Sequence, residues 1–192
     1  EEVADLRSLG ACRHNLPSAL TPLIGRRADI DDATRLVAAE RIVTVTGPGG
    51  VGKTRFAMAV AAASAERSPG GVWWVELAGV ATGAGVPRAV LAVLQAAEVP
   101  GVERAVQLAA LFGDKPSLLV LDNCEHLLDA SARLADALLD GCINLRVLAT
   151  SREALGVEGE QSWPTPSLGM PGTADASFDD VARAQAVELF VD

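Results

Sequence analysis

Eight residues, Gly47-Pro48-Gly49-Gly50-Val51-Gly52-Lys53-Thr54, constrain this chain more than any other stretch. A run this rich in glycine continues neither a helix nor a strand; it serves where backbone must turn or approach something closely. Before it stands Arg41-Ile42-Val43-Thr44-Val45-Thr46, β-branched and strand-like. After it comes an alanine-rich helix former running from Thr54 to Glu66. The chain must therefore pass from strand to helix through a glycine loop. The pattern is G-x-x-x-x-G-K-[ST], the phosphate loop. Its backbone N–H groups can curl around a polyphosphate, and the helix start adds the positive end of its dipole. Lys53 has the reach for β- and γ-phosphates, and the Thr54 hydroxyl suits Mg²⁺. Pro48, Gly49, Gly50, Val51, Gly52 and Arg55 complete the expected phosphate-binding set. A chance glycine turn is the competing reading, and the strand–helix context weighs against it.

Composition narrows the classes. The chain has 192 residues, 49% of them hydrophobic, which suits one packed domain with room for the start of another. No apolar run approaches the ~18 residues of a membrane span. The first residues are acidic, unlike a secretory leader, so a cytoplasmic location and no membrane partner are expected. Glu1 in place of Met reads as a piece of a longer chain. Net charge is −9, and no basic cluster is longer than Arg26-Arg27. That speaks against direct nucleic-acid binding by this piece; solubility is the simpler reading of the acidity. Cys12, Cys124 and Cys142 lack metal-like spacing. Cys12-x-His14 and Cys124-x-His126 each offer two ligands, with no second pair to complete a tetrahedral site. Reduced thiols fit better.

Read in order, residues 1–22 mix charge with Gly10, Pro17 and Pro22 and suggest a linker. Ala28 to Ala39 carries an apolar stripe at Ile30, Ala33, Leu36 and Val37, a helical period. The helix after the glycine loop is apolar nearly all round, as a helix buried on more than one side would be. Val72 to Leu77 is a second strand; its Trp73 and Trp74 point to opposite faces, and core packing accounts for at least one of them more simply than adenine stacking. Pro87 to Ala97 and Glu103 to Phe112 read as helices. Ser117 to Asp122 is a continuous apolar run ending in an acid, suited to a central parallel strand. Leu127 to Leu139 is a helix with Leu128, Ala132, Ala135 and Leu139 on its apolar face, and Gly141 can stop it. Leu145 to Thr150 is the next strand. Glu160 to Ser167 reads as a last one, pushed to an edge by Pro164 and Pro166. A connector at 171–176 leads to a capped helix from Ser177, read as the opening of a following helical module. Alternating strands and helices imply an α/β fold with a parallel sheet and right-handed crossovers.

A phosphate loop needs a carboxylate for the Mg²⁺ shell, and Asp122, after four apolar residues, fits that role. The position directly after it, where a water-activating acid usually stands, is Asn123. Glu125 lies two residues further and leaves two readings open: a group that orients water at the γ-phosphate, or a helix-start acid beside the dipole. Strand ends of a parallel sheet share one edge, where ligands bind. Arg152, just past Thr150-Ser151, would face the γ-phosphate there; a surface ion pair with Glu153 or Glu158 is the alternative. His126 reads as structural.

These motifs together resemble a known family. Leu23-Ile24-Gly25-Arg26, Gly47 to Thr54, Leu118 to Leu127 with its L-D-N-C-E-H-L, and Ala149-Thr150-Ser151-Arg152-Glu153 occur in the order of the STAND-class regulatory ATPases. More narrowly, the chain resembles the NB-ARC-like module of large actinobacterial transcriptional regulators, of the AfsR-like and LuxR-like adenylate-cyclase-linked kind. The resemblance implies a three-layer P-loop NTPase of the ASCE type, with the strand ending at Thr150 lying between those of the phosphate loop and Asp122. It divides the chain into a linker (1–22), the NTPase domain (23–170), and a connector with the first helix of a following module (171–192). It implies Ile24 and Arg26 near adenine or ribose, Lys53 and Thr54 on phosphate and Mg²⁺, Asp122 on Mg²⁺, and Arg152 as γ-phosphate sensor. The implied function is an ATP/ADP switch with slow hydrolysis, partnered by other modules of the same polypeptide and by nucleotide-dependent self-association. Asn123 departs from the wider class and argues against vigorous turnover. The alternative, a small-molecule or nucleotide kinase, would need a basic lid; Trp163, Pro164 and Pro166 stand in that region instead.

Overall fold

The computed structural model describes residues 13–17 and 26–165. Ile24 and the expected helix after Ser177 lie outside the described residues. Among the described residues five α-helices and five strands follow in the order α1 (Arg27–Ala39), β1 (Ile42–Thr46), α2 (Lys53–Ala63), β2 (Gly71–Glu76), α3 (Gly85–Val93), α4 (Arg104–Phe112), β3 (Ser117–Asp122), α5 (Leu128–Gly141), β4 (Leu145–Ser151) and β5 (Gln161–Pro164). The strands form one sheet in the order β2-β3-β4-β1-β5, and every pairing is parallel. This is a three-layer α/β P-loop NTPase fold. β4 lies between β1 and β3, as the resemblance implied.

Alternation along the strands divides the core. Leu118 and Val120 face α1 and α2, packing with Phe56, Val60, Ala33 and Val37. Leu119 and Leu121 face the other layer, with Val90 of α3, Leu108 of α4 and Leu134 and Leu138 of α5. All six residues of β3 are buried, as a central strand covered on both faces requires. Trp74 is buried in the first layer and Trp73 packs, partly buried, against the second; both tryptophans therefore serve packing. No helix among the described residues is long and apolar enough to cross a membrane.

Several boundaries differ from the sequence reading. α3 starts at Gly85 and ends at Val93, short of the expected Ala97; Gln95 takes a positive φ of 55°, which ends the helix. The buried line of α5 is Ser131, Leu134, Ala135 and Leu138. It is turned by about one position from the expected stripe, because Leu128, Ala132 and Leu139 pack at the margins of the same core. Gly141 is the last helical residue, and the chain leaves through Cys142 in an extended conformation.

Two edges are finished differently. Residues 13–17, inside the stretch read as a linker, pair with the outer edge of β2. Val72 N–H donates to Arg13 O at 2.9 Å. Asn15 both accepts from Trp74 N–H at 2.6 Å and donates to Trp74 O at 2.8 Å. That side chain imitates a strand residue and covers an edge that would otherwise stay open. At the opposite edge β5 ends in Pro164, which has no N–H to offer a further strand. Trp163 stacks on Phe56 with centroids 6.0 Å apart, fixing β5 to α2. The start of β1 is tied to the end of α5 by Arg41, whose guanidinium donates to the carbonyls of Leu139, Cys142 and Leu145 at 2.8, 2.5 and 3.2 Å. Leu139 O is one of the last-turn carbonyls that a helix end leaves without an intrahelical donor.

Phe56 is fully buried, so Phe56→Ala should destabilise the chain by about 3–5 kcal/mol in urea unfolding; a loss below about 1 kcal/mol would mean that β5 and α2 are not held by this stack. Burial pushes the Cys124 thiol up to about 12 from 9.0, which keeps it in the unreactive thiol form. Iodoacetamide at pH 8 should therefore label Cys124 only after unfolding; labelling of the native chain at a free-thiol rate would contradict that burial.

Candidate functional site

The carboxyl ends of β1, β3 and β4 arrive together. Thr46 is level with Ser151, and Leu121 with Ala149, so Asp122 stands level with Thr150. The glycine loop follows β1 at this edge. Gly47, Gly50 and Gly52 have φ of 150°, 80° and 91°. At the last two, a conformation that L side chains rarely adopt turns the backbone into the start of α2. A Cβ at Gly50 or Gly52 would meet nothing within 4 Å, so the loop presents backbone to open space.

Lys53, 8% exposed, folds back along the loop. Its ammonium donates to Gly47 O at 2.9 Å and Pro48 O at 3.1 Å. Thr54 sits one residue on, and its hydroxyl donates to Asp122 Oδ1 at 3.0 Å and lies 3.2 Å from Oδ2. Asp122 as a residue is 4% exposed. Its other donor is the Thr150 hydroxyl, 2.6 Å from Oδ1; that hydroxyl in turn accepts the Asn123 N–H at 2.9 Å. Among the described residues Asp122 makes no ion pair. A buried carboxylate satisfied only by hydroxyls is the kind of group that pairs with a cation or ligates a metal. With a threonine hydroxyl facing it across 3.0 Å, the donor set is hard oxygen, which suits Mg²⁺.

After Asp122 the chain turns sharply. Asn123 adopts the left-handed conformation (φ 66°, ψ 53°), and Cys124–His126 form a 3₁₀ turn; asparagine tolerates that conformation better than most residues. The Asn123 amide lies 3.5 Å from His126 Nδ1. His126 Nε2 lies 3.0 Å from Val80 O, a carbonyl that only a protonated Nε2 can serve, so His126 pins the turn to the loop after β2. Glu125 Oε1 lies 3.4 Å from Arg152 Nε, so the acid beside Arg152 is Glu125, where the alternative reading from the sequence named Glu153 or Glu158. Arg152 Nη2 also lies 4.0 Å from where a Cβ on Gly49 would stand, so the guanidinium spans from the turn to the glycine loop.

The structure thus gathers Lys53, Thr54, Asp122, Glu125 and Arg152 at one edge with Pro48 to Gly52. Arg55 is exposed on the first turn of α2. Arg26 is 4% exposed at the N-terminal cap of α1, the helix packed along α2. Thr150 was missed as a site residue. Its signal in the sequence was its place at a strand end beside the strand of Asp122, legible only once the strand order is known.

Known proteins resemble this chain in sequence and in fold. Residues 31–160 match the NB-ARC domain family. An uncharacterised protein of Mycobacterium tuberculosis is 40% identical over 171 residues, covering 89% of this chain and 44% of its own length. A candidate HTH-type transcriptional regulator of the same organism is 41% identical over 153 residues, covering 80% of this chain and 17% of its own length. The chain therefore spans less than half of the curated relatives it matches. Among solved structures, Cdc6p from Pyrobaculum aerophilum superposes with a TM-score of 0.61 at 15% identity, over 92% of this chain and 50% of that one. A STAND protein with a tetratricopeptide repeat sensor from Pyrococcus horikoshii gives 0.54 at 15% identity, over 86% and 25%. At such identities these two speak for the fold alone. A family match over two thirds of its length, together with the phosphate loop and the strand order, places the chain in the NB-ARC domain family, on a P-loop NTPase fold.

Proposed function

We propose that this chain is an ATP/ADP-binding switch module with slow ATP hydrolysis, acting inside a multidomain transcriptional regulator. The observation that carries the reading is the meeting of Thr54 and Asp122 at the mouth of the glycine loop, with Thr150 holding the carboxylate in place.

Each residue has a role that follows from its position. Loop N–H groups from Gly49 to Thr54 surround the phosphates, aided by the start of α2. Lys53 exchanges the carbonyls of Gly47 and Pro48 for phosphate oxygens, a short movement for an ammonium already in the loop. Thr54 and Asp122 hold Mg²⁺, which, when bound, neutralises charge on the phosphates. Arg152 reads the γ-phosphate. Glu125 is the group placed to orient water; its Oε2 is buried and has no hydrogen-bond partner among the described residues. Ile24, Arg26 and Arg55 are assigned to the nucleotide through the family. Asn123, turned toward His126, supplies no second carboxylate, which suits slow hydrolysis and a signalling role.

Likeness to a candidate HTH-type regulator supports a place in transcription control, with other modules of the same polypeptide as first partners and nucleotide-dependent self-association as the output. The net charge of −9 assigns DNA contact to another module.

In thermal unfolding with Mg²⁺, ATP or ADP at about 100 times its dissociation constant should add about 2.7 kcal/mol to stability. GTP should add less, and Lys53→Ala should remove the effect. No adenine-nucleotide shift, or one unchanged in Lys53→Ala, would sink the proposal. For the metal, Asp122→Asn and Thr54→Ala should each abolish the difference in ATP affinity between Mg²⁺ and EDTA; a difference as large as in the native chain would remove those two residues as ligands.

A further inference from the structure

Arg152 stands between one acceptor and the phosphate loop. On one side Glu125 Oε1 lies 3.4 Å from its Nε; on the other its Nη2 hangs over Gly49 of the phosphate loop. The two partners differ in freedom. The Arg152 side chain is 68% exposed and that of Glu125 is 18% exposed, so the carboxylate is fixed and the guanidinium can swing. The swing is short, because the Nη2 end of the same guanidinium already lies beside Gly49 of the loop while its Nε faces Glu125. Leaving Glu125 costs little, since an ion pair with one exposed partner is weak. A terminal phosphate carries more charge than a carboxylate and accepts bidentate guanidinium bonds.

We propose that Glu125 is a latch on Arg152. It parks the guanidinium beside the loop and competes with the terminal phosphate of a nucleoside triphosphate for the same side chain. The inference rests on the reading of Gly47 to Thr54 as a polyphosphate cradle. It makes Glu125 a specificity-determining residue, in addition to any work on water. The preference for triphosphate over diphosphate is what Arg152 gains at the phosphate minus what it gives up at Glu125. It also orders events: the Glu125 carboxylate is bare of its arginine only after a third phosphate has drawn that arginine away, so a diphosphate leaves the latch shut.

The test is titration calorimetry of the whole chain with ATP and with ADP, each with Mg²⁺. The native form is compared with Glu125→Gln, Glu125→Asp, Arg152→Ala and the double variant Glu125→Gln/Arg152→Ala. Glu125→Gln keeps the shape and removes the charge. It should raise the ratio of ATP to ADP affinity about two- to fivefold, the range expected for a weak ion pair, with ADP affinity unchanged. Glu125→Asp, shorter by one methylene, should raise the ratio too. Arg152→Ala should lower it, and in that background Glu125→Gln should do nothing, since the two residues then share no contact. A ratio unchanged in both Glu125 variants, or raised equally when Arg152 is absent, overturns the latch and leaves the cradle standing. Absence of binding by the native chain overturns cradle and latch together.

Discussion

Everything at the functional edge depends on one buried carboxylate. Asp122 is the last residue of β3, and its Oδ1 accepts two hydroxyls, from Thr54 at 3.0 Å and Thr150 at 2.6 Å. Those hydroxyls come from the helix after β1 and from β4, so one side chain ties together three segments that meet only in the folded sheet. Burying an acid without such donors costs several kcal/mol, and the two hydroxyls offset that cost. The sheet makes it affordable: β4 lies between β1 and β3, which brings Thr150 level with Asp122 and leaves the loop after β1 one strand away.

The same dependence explains how much was legible beforehand. The strand–loop–helix unit at Gly47 to Thr54 is local, so its glycines, lysine and threonine announce it in one dimension. The apolar run Leu118 to Leu121 with its terminal acid is nearly as direct, since a strand buried on both faces tolerates little else. Arg152 was expected at the loop because parallel strands end on one edge. Its partner was not, because an ion pair with Glu125 needs the left-handed turn at Asn123 to bring Glu125 round, and no periodicity encodes that turn. Thr150 carries no signal of its own; only strand order shows that its hydroxyl faces Asp122. Arg41 and Asn15 are the same kind of case. Both satisfy backbone groups far away in sequence, and a lone arginine before a strand or a lone asparagine in a polar stretch predicts neither.

Helix faces show a milder version. In α1 Ala33 and Val37 of the apolar stripe are buried, while Ile30 and Leu36 are partly buried at its margins and Thr34 is buried beside them. α5 lies against α3, α4 and β4, so the residues at the margin of its stripe are covered as well, and the fully buried line shifts to Ser131, Leu134, Ala135 and Leu138. Periodicity locates the side of a helix that faces the core, and the neighbours on either flank decide which residues lie deepest.

The edges of the sheet have unequal mechanical standing. The chain segment at 13–17 lies against β2, three strands away from β1. The segment at 161–165 lies against β1 itself: Thr165 N–H donates to Thr46 O at 2.7 Å, and Thr165 Cβ lies 3.6 Å from where a side chain on Gly47 would stand. A tug on the first segment must cross the whole sheet, which is stiff, before it reaches the glycine loop. A tug on the second arrives across one hydrogen bond. Whatever follows Thr165 in the polypeptide thus holds a lever on the loop that whatever precedes Arg13 lacks.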